Sequence, residues 1–282
     1  MKNIVFGALF LVAQLESASF IEGQLTGQLG NQMFVIATTV SYALDHHVIP
    51  VFPNFILDPQ NDNFVNFKNL FYDLEVKIPK GEKVLYDFYE ASGDFAPIPH
   101  KKNICIHGYF QSEKYFKHHK KEIVELFLPS FKIASYLEQK YGEILRKNTT
   151  VSLHIRSYFD HDPEQKVYIQ YGRDYVEKAI ALFPEDALFL VFSNKMEYCK
   201  KELAGIERNF FFIENEPHYH DLYLMSMCDH NIIANSSFSW WGAYLNQNPE
   251  KVVVAPPRWY APTYPLGEKD LVPEEWIRVI LK

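Results

Sequence analysis

NIIANSSFSWWGAYLN, residues 231–246, joins an apolar segment to a small polar turn and then to a run rich in aromatic residues. The segment from Asn231 to Ala234 predicts a strand, and the run from Trp240 to Leu245 has the apolar spacing of a helix. A strand that turns directly into a helix is the repeating unit of α/β proteins. We interpret the stretch as one such unit, and we expect its two tryptophans to be mainly structural.

The same alternation of strand and helix patterns runs through the C-terminal half of the chain. Between the strand candidates, Asp174–Phe183 places apolar residues at helical spacing, as in a helix that packs on a sheet. These segments predict a doubly wound parallel sheet. The strand candidates are Val151–Arg156, Ala187–Ser193, Asn209–Ile213, Asn231–Ala234 and Lys251–Ala255.

The N-terminal half is less regular, with helices predicted at Asn31–His46 and Glu113–Phe127. A polar, lysine-rich segment, Tyr136–Thr150, is typical of a solvated helix that leads into a second lobe. We therefore divide the chain into a leader at residues 1–19, an N-terminal acceptor-side lobe at residues 20–140 and a C-terminal donor-binding lobe at residues 141–282. The leader pattern fits either a cleavable signal or a buried first strand.

Composition excludes some classes of function. The chain has 282 residues, of which 48% are hydrophobic, so it can bury one large core or two modest ones. Its net charge of −7 argues against general binding to nucleic acid or to anionic membranes. The 3 cysteines are far apart and form no C-x-x-C pair, so we interpret them as reduced and structural.

VSLHIRSYFD, residues 151–160, carries the first chemical motif. Strand alternation places His154 and Arg156 on the face opposite the apolar side chains. Arg156 falls at the carboxyl end of the strand, where ligands of parallel sheets bind, and its guanidinium suits a two-pronged grip on phosphate. The alternative is an internal ion pair with a nearby carboxylate such as Asp160.

The turn Asn235-Ser236-Ser237 carries the second motif. It lies at a predicted helix start, where free N–H groups and the helix dipole favour an anion. Serine is also an ordinary helix cap, which is the alternative interpretation. Two sites that favour anions at the ends of two strands suggest one ligand that bears phosphate.

The third motif, GQLTGQLGNQMF at residues 23–34, brackets a tight turn with Gly27 and Gly30 and places Asn31 and Gln32 at a helix start. It lacks the third glycine of the dinucleotide fingerprint and the lysine of a P-loop. Amide side chains supply neutral donors and acceptors, which suit sugar hydroxyls.

Four motifs together resemble the α-1,2-fucosyltransferases of glycosyltransferase family 11 over about residues 21–280. The resemblance implies a GT-B type of α/β fold, with two Rossmann-like lobes and a donor-binding cleft between them. It also implies metal-independent transfer of L-fucose, with inversion, from GDP-fucose to the 2-hydroxyl of a terminal β-galactose on a glycan. No cofactor is expected besides this donor substrate. The motifs are GQLGNQMF (27–34), HGYFQSEKYF (107–116), HIR (154–156) and DLYLMSMCDHNIIANSSFSWWGAYLN (221–246).

The resemblance also implies site residues. Asp221 is expected to bind the guanine N–H groups, the alternative being a surface or capping role at a helix start. Apart from the resemblance, Asp160 is the acidic residue nearest to Arg156 in the sequence, and it is expected to be the general base, an ion partner of Arg156 or a solvated loop residue. The catalytic candidates are Arg156, Asp160 and Asn31. The candidates for donor binding are Gly30, His154, Arg156, Asn194, Asp221, Asn235, Ser236, Ser237 and Phe238.

The sequence departs from the family pattern H-x-R-R-x-D after its first strand motif. Ser157 replaces the second arginine, and Phe159 stands at the aspartate position with Asp160 one residue late. Asn194 and Lys195 follow the next strand, where the family commonly has carboxylates. These departures motivate an alternative function, a catalytically lapsed glycan-binding protein of the same fold.

The expected partners are GDP-fucose and a galactose-terminated glycan, with no nucleic acid. Because bacteria make GDP-sugars in the cytoplasm, we expect a cytoplasmic protein. Association with the membrane is an open alternative, and export would follow if residues 1–19 act as a signal peptide.

Overall fold

The computed structural model describes residues 19–55, 62–160, 162, 164 and 166–281. The chain splits into two compact units, of which the first extends to Leu128 and includes Lys269–Leu271, and the second contains the remainder. The division differs from the predicted one at residues 140 and 141. Those positions fall inside one helix, Phe131–Lys147, which belongs wholly to the second unit. The predicted leader lies outside the described residues apart from Ser19.

The first unit is built on a four-stranded parallel sheet in the order β2-β1-β4-β3. Its first helix fills the core with apolar side chains along most of its length and packs against β1. The strands are β1 (Phe20–Gly23), β2 (Ile49–Val51), β3 (Tyr86–Tyr89) and β4 (Ile104–His107). The helices are α1 (Leu29–His46), α2 (Asp62–Asn69) and α3 (Lys120–Leu126).

The helix predicted at Glu113–Phe127 is broken in the structure. Two short 3₁₀ turns, Glu113–Tyr115 and Lys117–His119, precede α3. Phe116 separates them with φ −144° and ψ 2°, which is not helical. Its ring is fully buried and lies 6.1 Å from that of Phe34. Burial of this aromatic side chain therefore overrides the helical pattern of the sequence.

The second unit contains a six-stranded parallel sheet in the order β10-β9-β8-β5-β6-β7. All the strands predicted for this half are present with small shifts at their ends, and β10 was not predicted. The strands are β5 (Thr150–Ile155), β6 (Leu188–Ser193), β7 (Asn209–Phe212), β8 (His230–Ile232), β9 (Val253–Ala255) and β10 (Ile277–Arg278). The helices are α4 (Phe131–Lys147), α5 (Arg173–Ile180), α6 (Met196–Leu203), α7 (His218–Met227) and α8 (Ser237–Leu245).

The order in which the chain adds strands to this sheet reverses between β5 and β8. From β5 it adds β6 and β7 on one side, and then it returns to place β8, β9 and β10 on the other. The central pair is fixed by Val151 opposite His230 and Leu153 opposite Ile232. Such a reversal leaves a crevice at the carboxyl ends of the two central strands, where ligands of doubly wound sheets bind.

The stretch at residues 231–246 forms the strand, turn and helix expected of it. Trp240 and Trp241 are both 0% exposed, with ring centroids 5.0 Å apart, and Trp240 stacks on Tyr244 at 4.7 Å. Their structural role is confirmed. Asn231 further ties β8 to β5 by donating to Ser152 Oγ at 2.7 Å. The turn is therefore held from the core side.

Among the described residues, none of the helices is both long enough and apolar enough to cross a membrane.

Candidate functional site

The carboxyl edge of the second sheet collects most of the predicted donor-binding residues. Arg156 follows β5, Asn194 follows β6, and the turn 235–237 follows β8. Asp221 lies in the first turn of α7, the helix that follows β7. Helices after parallel strands begin at the carboxyl edge, so these side chains share one edge, with Arg156 and the turn beside the crevice.

His154 and Arg156 lie together beside this crevice, and Arg156 alone carries a positive charge. Burial, with the charge of Arg156 as a second cause, lowers the pKa of His154 to about 3, so its imidazole is neutral. The His154 Nδ1 atom is buried and has no hydrogen-bond partner in the described structure. The guanidinium of Arg156 lies 5.7 Å from the ring centre of Tyr158. Within the described ranges it makes no ion pair, so its charge is available to an external anion.

Asp160 does not neutralise Arg156. Its Oδ2 atom lies 2.6 Å from Lys195 Nζ, and both side chains are about half exposed. The interpretation of Asp160 as the ion partner of Arg156 is therefore wrong, because the loop after β5 directs its carboxylate toward the loop after β6.

The positions that depart from the family pattern are paired with one another. Asn194 Oδ1 accepts the backbone N–H of Ser157 at 2.8 Å, and Asn194 Nδ2 donates to the Ser157 carbonyl at 2.9 Å. Lys195 pairs with Asp160 in the same two loops. These contacts link the loop after β5 to the loop after β6. Because both polar atoms of Asn194 hold the backbone, its predicted contact with a donor stays a prediction.

Asp221 is the most perturbed carboxyl group of this edge. Its Oδ1 atom is buried without a hydrogen-bond partner among the described residues. Burial raises the pKa of Asp221 to about 8, and the charge of Glu216 adds to this effect. An unsatisfied buried oxygen is costly, and it fits a ligand that donates N–H groups.

Glu216 was not found by sequence reasoning. Its side chain is 1% exposed and accepts hydrogen bonds from Lys140 Nζ at 2.5 Å, from Tyr141 at 2.9 Å and from His220 at 2.7 Å. Burial alone would raise its pKa, but these bonds outweigh burial and lower it to about 2. Glu216 therefore stays ionised and helps to keep Asp221 protonated in the free protein.

Asn235 and the start of α8 make up the other wall of the crevice. Asn235 Nδ2 donates to the Ile169 and Trp259 carbonyls at 3.0 and 2.9 Å, so its amide holds neighbouring loops. The side chain of Ser236 stands at the helix cap without making a capping hydrogen bond. Ser236 therefore does not cap α8 through its side chain, and the positive end of the helix dipole at this position favours an anion.

The His154 ring lies 5.9 Å from that of Phe238, the second residue of α8. This contact joins the end of β5 to the start of α8 across the crevice. Phe238, another of the predicted donor-binding residues, therefore lies at the same edge.

Asn31 occupies a fixed position in the first unit. Gln111 Nε2 donates to Asn31 Oδ1 at 2.8 Å, which links the loop after β4 to the first turn of α1. Gly27 has φ 67°, and a Cβ atom there would lie 2.4 Å from Asn31 Nδ2, so any other residue would be strained and would displace the Asn31 side chain. Gly30 is buried in the first turn of α1. Gln111 was missed as a functional candidate, although it belongs to the motif at residues 107–116.

Comparison with known proteins agrees with this arrangement. The model of glycosyl transferase family 11 matches residues 6–279. The alpha-1,2-colitosyltransferase of Escherichia coli is 34% identical over 188 residues, which cover 64% of this chain and 63% of that protein. The O-antigen biosynthesis glycosyltransferase WbnK of Escherichia coli is 32% identical over 203 residues, 68% of this chain and 66% of WbnK. Galactoside alpha-(1,2)-fucosyltransferase 2 of Rattus norvegicus is 27% identical over 237 residues, 78% of this chain and 65% of that protein.

The chain therefore spans slightly less than two thirds of the length of these relatives. Among solved structures, the fucosyltransferase NodZ from Bradyrhizobium has a TM-score of 0.54 at 12% identity, covering 80% of this chain and 93% of that chain. NodZ crystals have also been soaked with GDP-fucose. This likeness shows the GT-B type of fold alone. The family match over nearly the whole chain shows that the protein belongs to glycosyl transferase family 11.

Proposed function

We propose that this protein transfers L-fucose from GDP-fucose to the 2-hydroxyl of a terminal β-galactose on a glycan, with inversion and without a metal ion. One observation carries the proposal. The guanidinium of Arg156 and the unpartnered buried oxygen of Asp221 lie on one sheet edge, on elements around the strand reversal. A guanosine diphosphate has phosphate oxygens for the first and ring N–H donors for the second.

In this proposal, Asp221 accepts hydrogen bonds from the guanine N1–H and exocyclic amine. Arg156 and the N–H groups at the start of α8 bind the diphosphate, with Ser236 and Ser237 beside them. His154 offers its buried Nδ1 atom to a donor hydroxyl or phosphate. Arg156 and the helix N–H groups are preorganised hydrogen-bond donors. Such donors can stabilise the negative charge of a leaving diphosphate without a metal ion.

The sugar assignments rest on the relatives. The rat relative is named a galactoside alpha-(1,2)-fucosyltransferase, and NodZ crystals were soaked with GDP-fucose. The colitosyltransferase relative suggests a second donor, because colitose is fucose without its 3-hydroxyl. Fucose is our first choice, and colitose belongs in the same assay.

The proposed reaction is a single displacement. The galactose 2-oxygen forms a bond to C1 of fucose while the bond from C1 to the β-phosphate oxygen breaks, and GDP leaves with the electron pair. The hydroxyl proton passes to a carboxylate or to the departing phosphate. Asn31, which is held by Gln111, is proposed to orient a sugar hydroxyl.

The test is incubation of the purified protein with GDP-fucose or GDP-colitose and lactose, followed by mass spectrometry of the products and measurement of released GDP. We expect 2′-fucosyllactose. No transfer and no GDP release with a panel of β-galactosides would overturn the proposal. Calorimetric binding of a glycan without measurable binding of GDP would instead support the lapsed glycan-binding protein.

Replacement of Gln111 tests the position of Asn31. In Gln111→Leu, Asn31 Oδ1 loses its 2.8 Å donor, so its amide can rotate away from the reacting sugar. We expect kcat to fall by roughly tenfold to a hundredfold, the range for misplacement of a positioned group. Calorimetry should show GDP affinity unchanged, because neither Gln111 nor Asn31 is among the residues proposed to bind GDP. Equal losses of kcat and GDP affinity would contradict this role.

Replacement of Asp160 tests whether its carboxylate is the general base or a solvated loop residue. Its pairing with Lys195 at a half-exposed position predicts a small effect, because exposed ion pairs contribute little. In Asp160→Asn we expect kcat and GDP affinity within about threefold of the wild type. A large loss of kcat with intact GDP binding, measured in the same assay, would instead identify Asp160 as the general base.

A further inference from the structure

A cluster of metal-binding side chains lies in the first unit, on residues that the proposed reaction does not use. Asp45 lies in the last turn of α1, and His118 and His119 lie in the 3₁₀ turn before α3. One potential ligand atom from each lies within 4.8 Å of the others. No local sequence motif marks this group, because Asp45 is 73 and 74 residues from the two histidines in the chain.

The two imidazoles converge on one carboxylate. His118 Nε2 lies 3.0 Å from Asp45 Oδ2, and His119 Nε2 lies 2.8 Å from Asp45 Oδ1. His118 Nε2 is also 3.3 Å from Ser41 Oγ, one helical turn before Asp45. The Nε2 atom of a neutral imidazole is the commonest protein ligand of transition metals.

These distances are close to those of a zinc site. Zinc bonds of about 2.0–2.2 Å in tetrahedral geometry separate neighbouring ligand atoms by roughly 3.3–3.5 Å. The Asp45 contacts of 3.0 and 2.8 Å would have to open by roughly 0.3–0.7 Å. The three side chains are between 23% and 48% exposed, so they can adjust and a cation can reach them.

The electrostatics also favour a cation here. Asp45 stands near the C-terminus of an 18-residue helix, where the backbone carbonyls carry partial negative charge. A carboxylate at that end is unfavourable unless positive charge compensates it. A divalent ion would compensate both the carboxylate and the helix end.

We propose that Asp45, His118 and His119 form a binding site for a divalent transition metal, with zinc as the best fit. The ion would join the end of α1 to the turn before α3, and water would complete its coordination. Mixed imidazole and carboxylate ligands favour zinc over magnesium or calcium, which prefer oxygen ligands. The role of such a site is structural, because the bound ion would cross-link two segments of one unit.

A second group, Asp87, Cys105 and His107, also meets the distance criterion. It is less suited to an entering ion, because Cys105 is only 2% exposed and offers its sulfur from inside the core. A substitution in this second group therefore serves as the control that shows which group binds the metal.

The test titrates chelator-treated full-length protein with zinc chloride by calorimetry, and with cobalt chloride by visible absorption. We expect a single zinc site and a thermal midpoint that rises with zinc concentration. Asp45→Asn, His118→Gln and His119→Gln should each weaken zinc binding by roughly a hundredfold and abolish the thermal shift, since each removes a ligand. His107→Gln and His46→Gln should bind zinc as the wild type does.

Asp45→His separates a metal site from a mere ion pair. It keeps a ligand and removes the carboxylate, so zinc binding should survive although the contacts between aspartate and histidine are gone. Circular dichroism without zinc checks that every variant folds. The proposal is overturned if the wild type gives no isotherm, if His107→Gln abolishes binding, or if Asp45→Asn binds zinc normally.

Discussion

Arg156→Lys should reduce transfer activity by roughly ten- to a thousand-fold, up to the loss of about a hundred- to a thousand-fold that follows complete removal of one preorganised donor. Lysine keeps the positive charge but lacks the planar fork that binds two phosphate oxygens at once. Because Arg156 makes no ion pair within the described part of the chain, the substitution breaks no internal salt bridge. The loss should therefore appear mainly in the chemical step, where charge develops on the leaving diphosphate. Single-turnover rates with GDP-fucose measure it.

Arg173→Lys is the matched control. Arg173 lies in the same unit and pairs with Glu177 on the surface of α5 at 2.7 Å. Its substitution should leave the rate unchanged, since an exposed helical pair contributes little. Equal rates for Arg156→Lys and the wild type would show that Arg156 does not bind the leaving group, and the proposed donor geometry would fail.

Asp221→Asn should produce the second large effect, on GDP binding and on its dependence on pH. The carboxylate must be ionised to accept the guanine N–H groups, whereas the pKa of Asp221 in the free protein is raised to about 8. Each pH unit below that value costs about tenfold in affinity, because the group must first lose its proton. GDP affinity of the wild type should thus rise between pH 6 and pH 8 and then level off.

In Asp221→Asn this rise should disappear, and affinity at pH 8 should fall by roughly a hundredfold or more. The amide oxygen can still accept one bond, but the amide N–H₂ opposes a guanine donor. Calorimetry at several pH values, in buffers of different ionisation enthalpy, measures both affinity and proton release. An Asp221→Asn variant that binds GDP at pH 8 as tightly as the wild type would exclude Asp221 as the guanine ligand.

The same shift predicts how stability changes with pH. The folded pKa of about 8 exceeds the reference value of 3.8, so the folded protein retains a proton that the unfolded chain releases. Stability of the unliganded protein therefore falls as pH rises through this interval. Asp221→Asn should lack this loss and should be more stable than the wild type at pH 8. Thermal unfolding at pH 5 and pH 8, without GDP, checks the sign.

Much of the second unit follows from local pattern alone. Runs of apolar residues that end in small polar turns predict buried strands, and the burial of Val151, Leu153 and Ile155 on one face follows from strand alternation. The positions of Arg156, Ser236 and Ser237 at strand ends could be read in the same way. This reasoning fails at Phe116, because burial of its ring interrupts the helix predicted at Glu113–Phe127.

Local patterns in the chain are sufficient for the α/β class, the order of strands and helices, the family motifs and the residues at the ends of β5 and β8. They do not reveal that β5 and β8 are neighbours, that Asn194 and Lys195 hold the loop after β5, or that Glu216 is buried beside Asp221. The cause is that propensity and periodicity act between residues close in the chain. Strand order, ion partners and burial depend on contacts between segments far apart in sequence, and burial is what raises the pKa of Asp221.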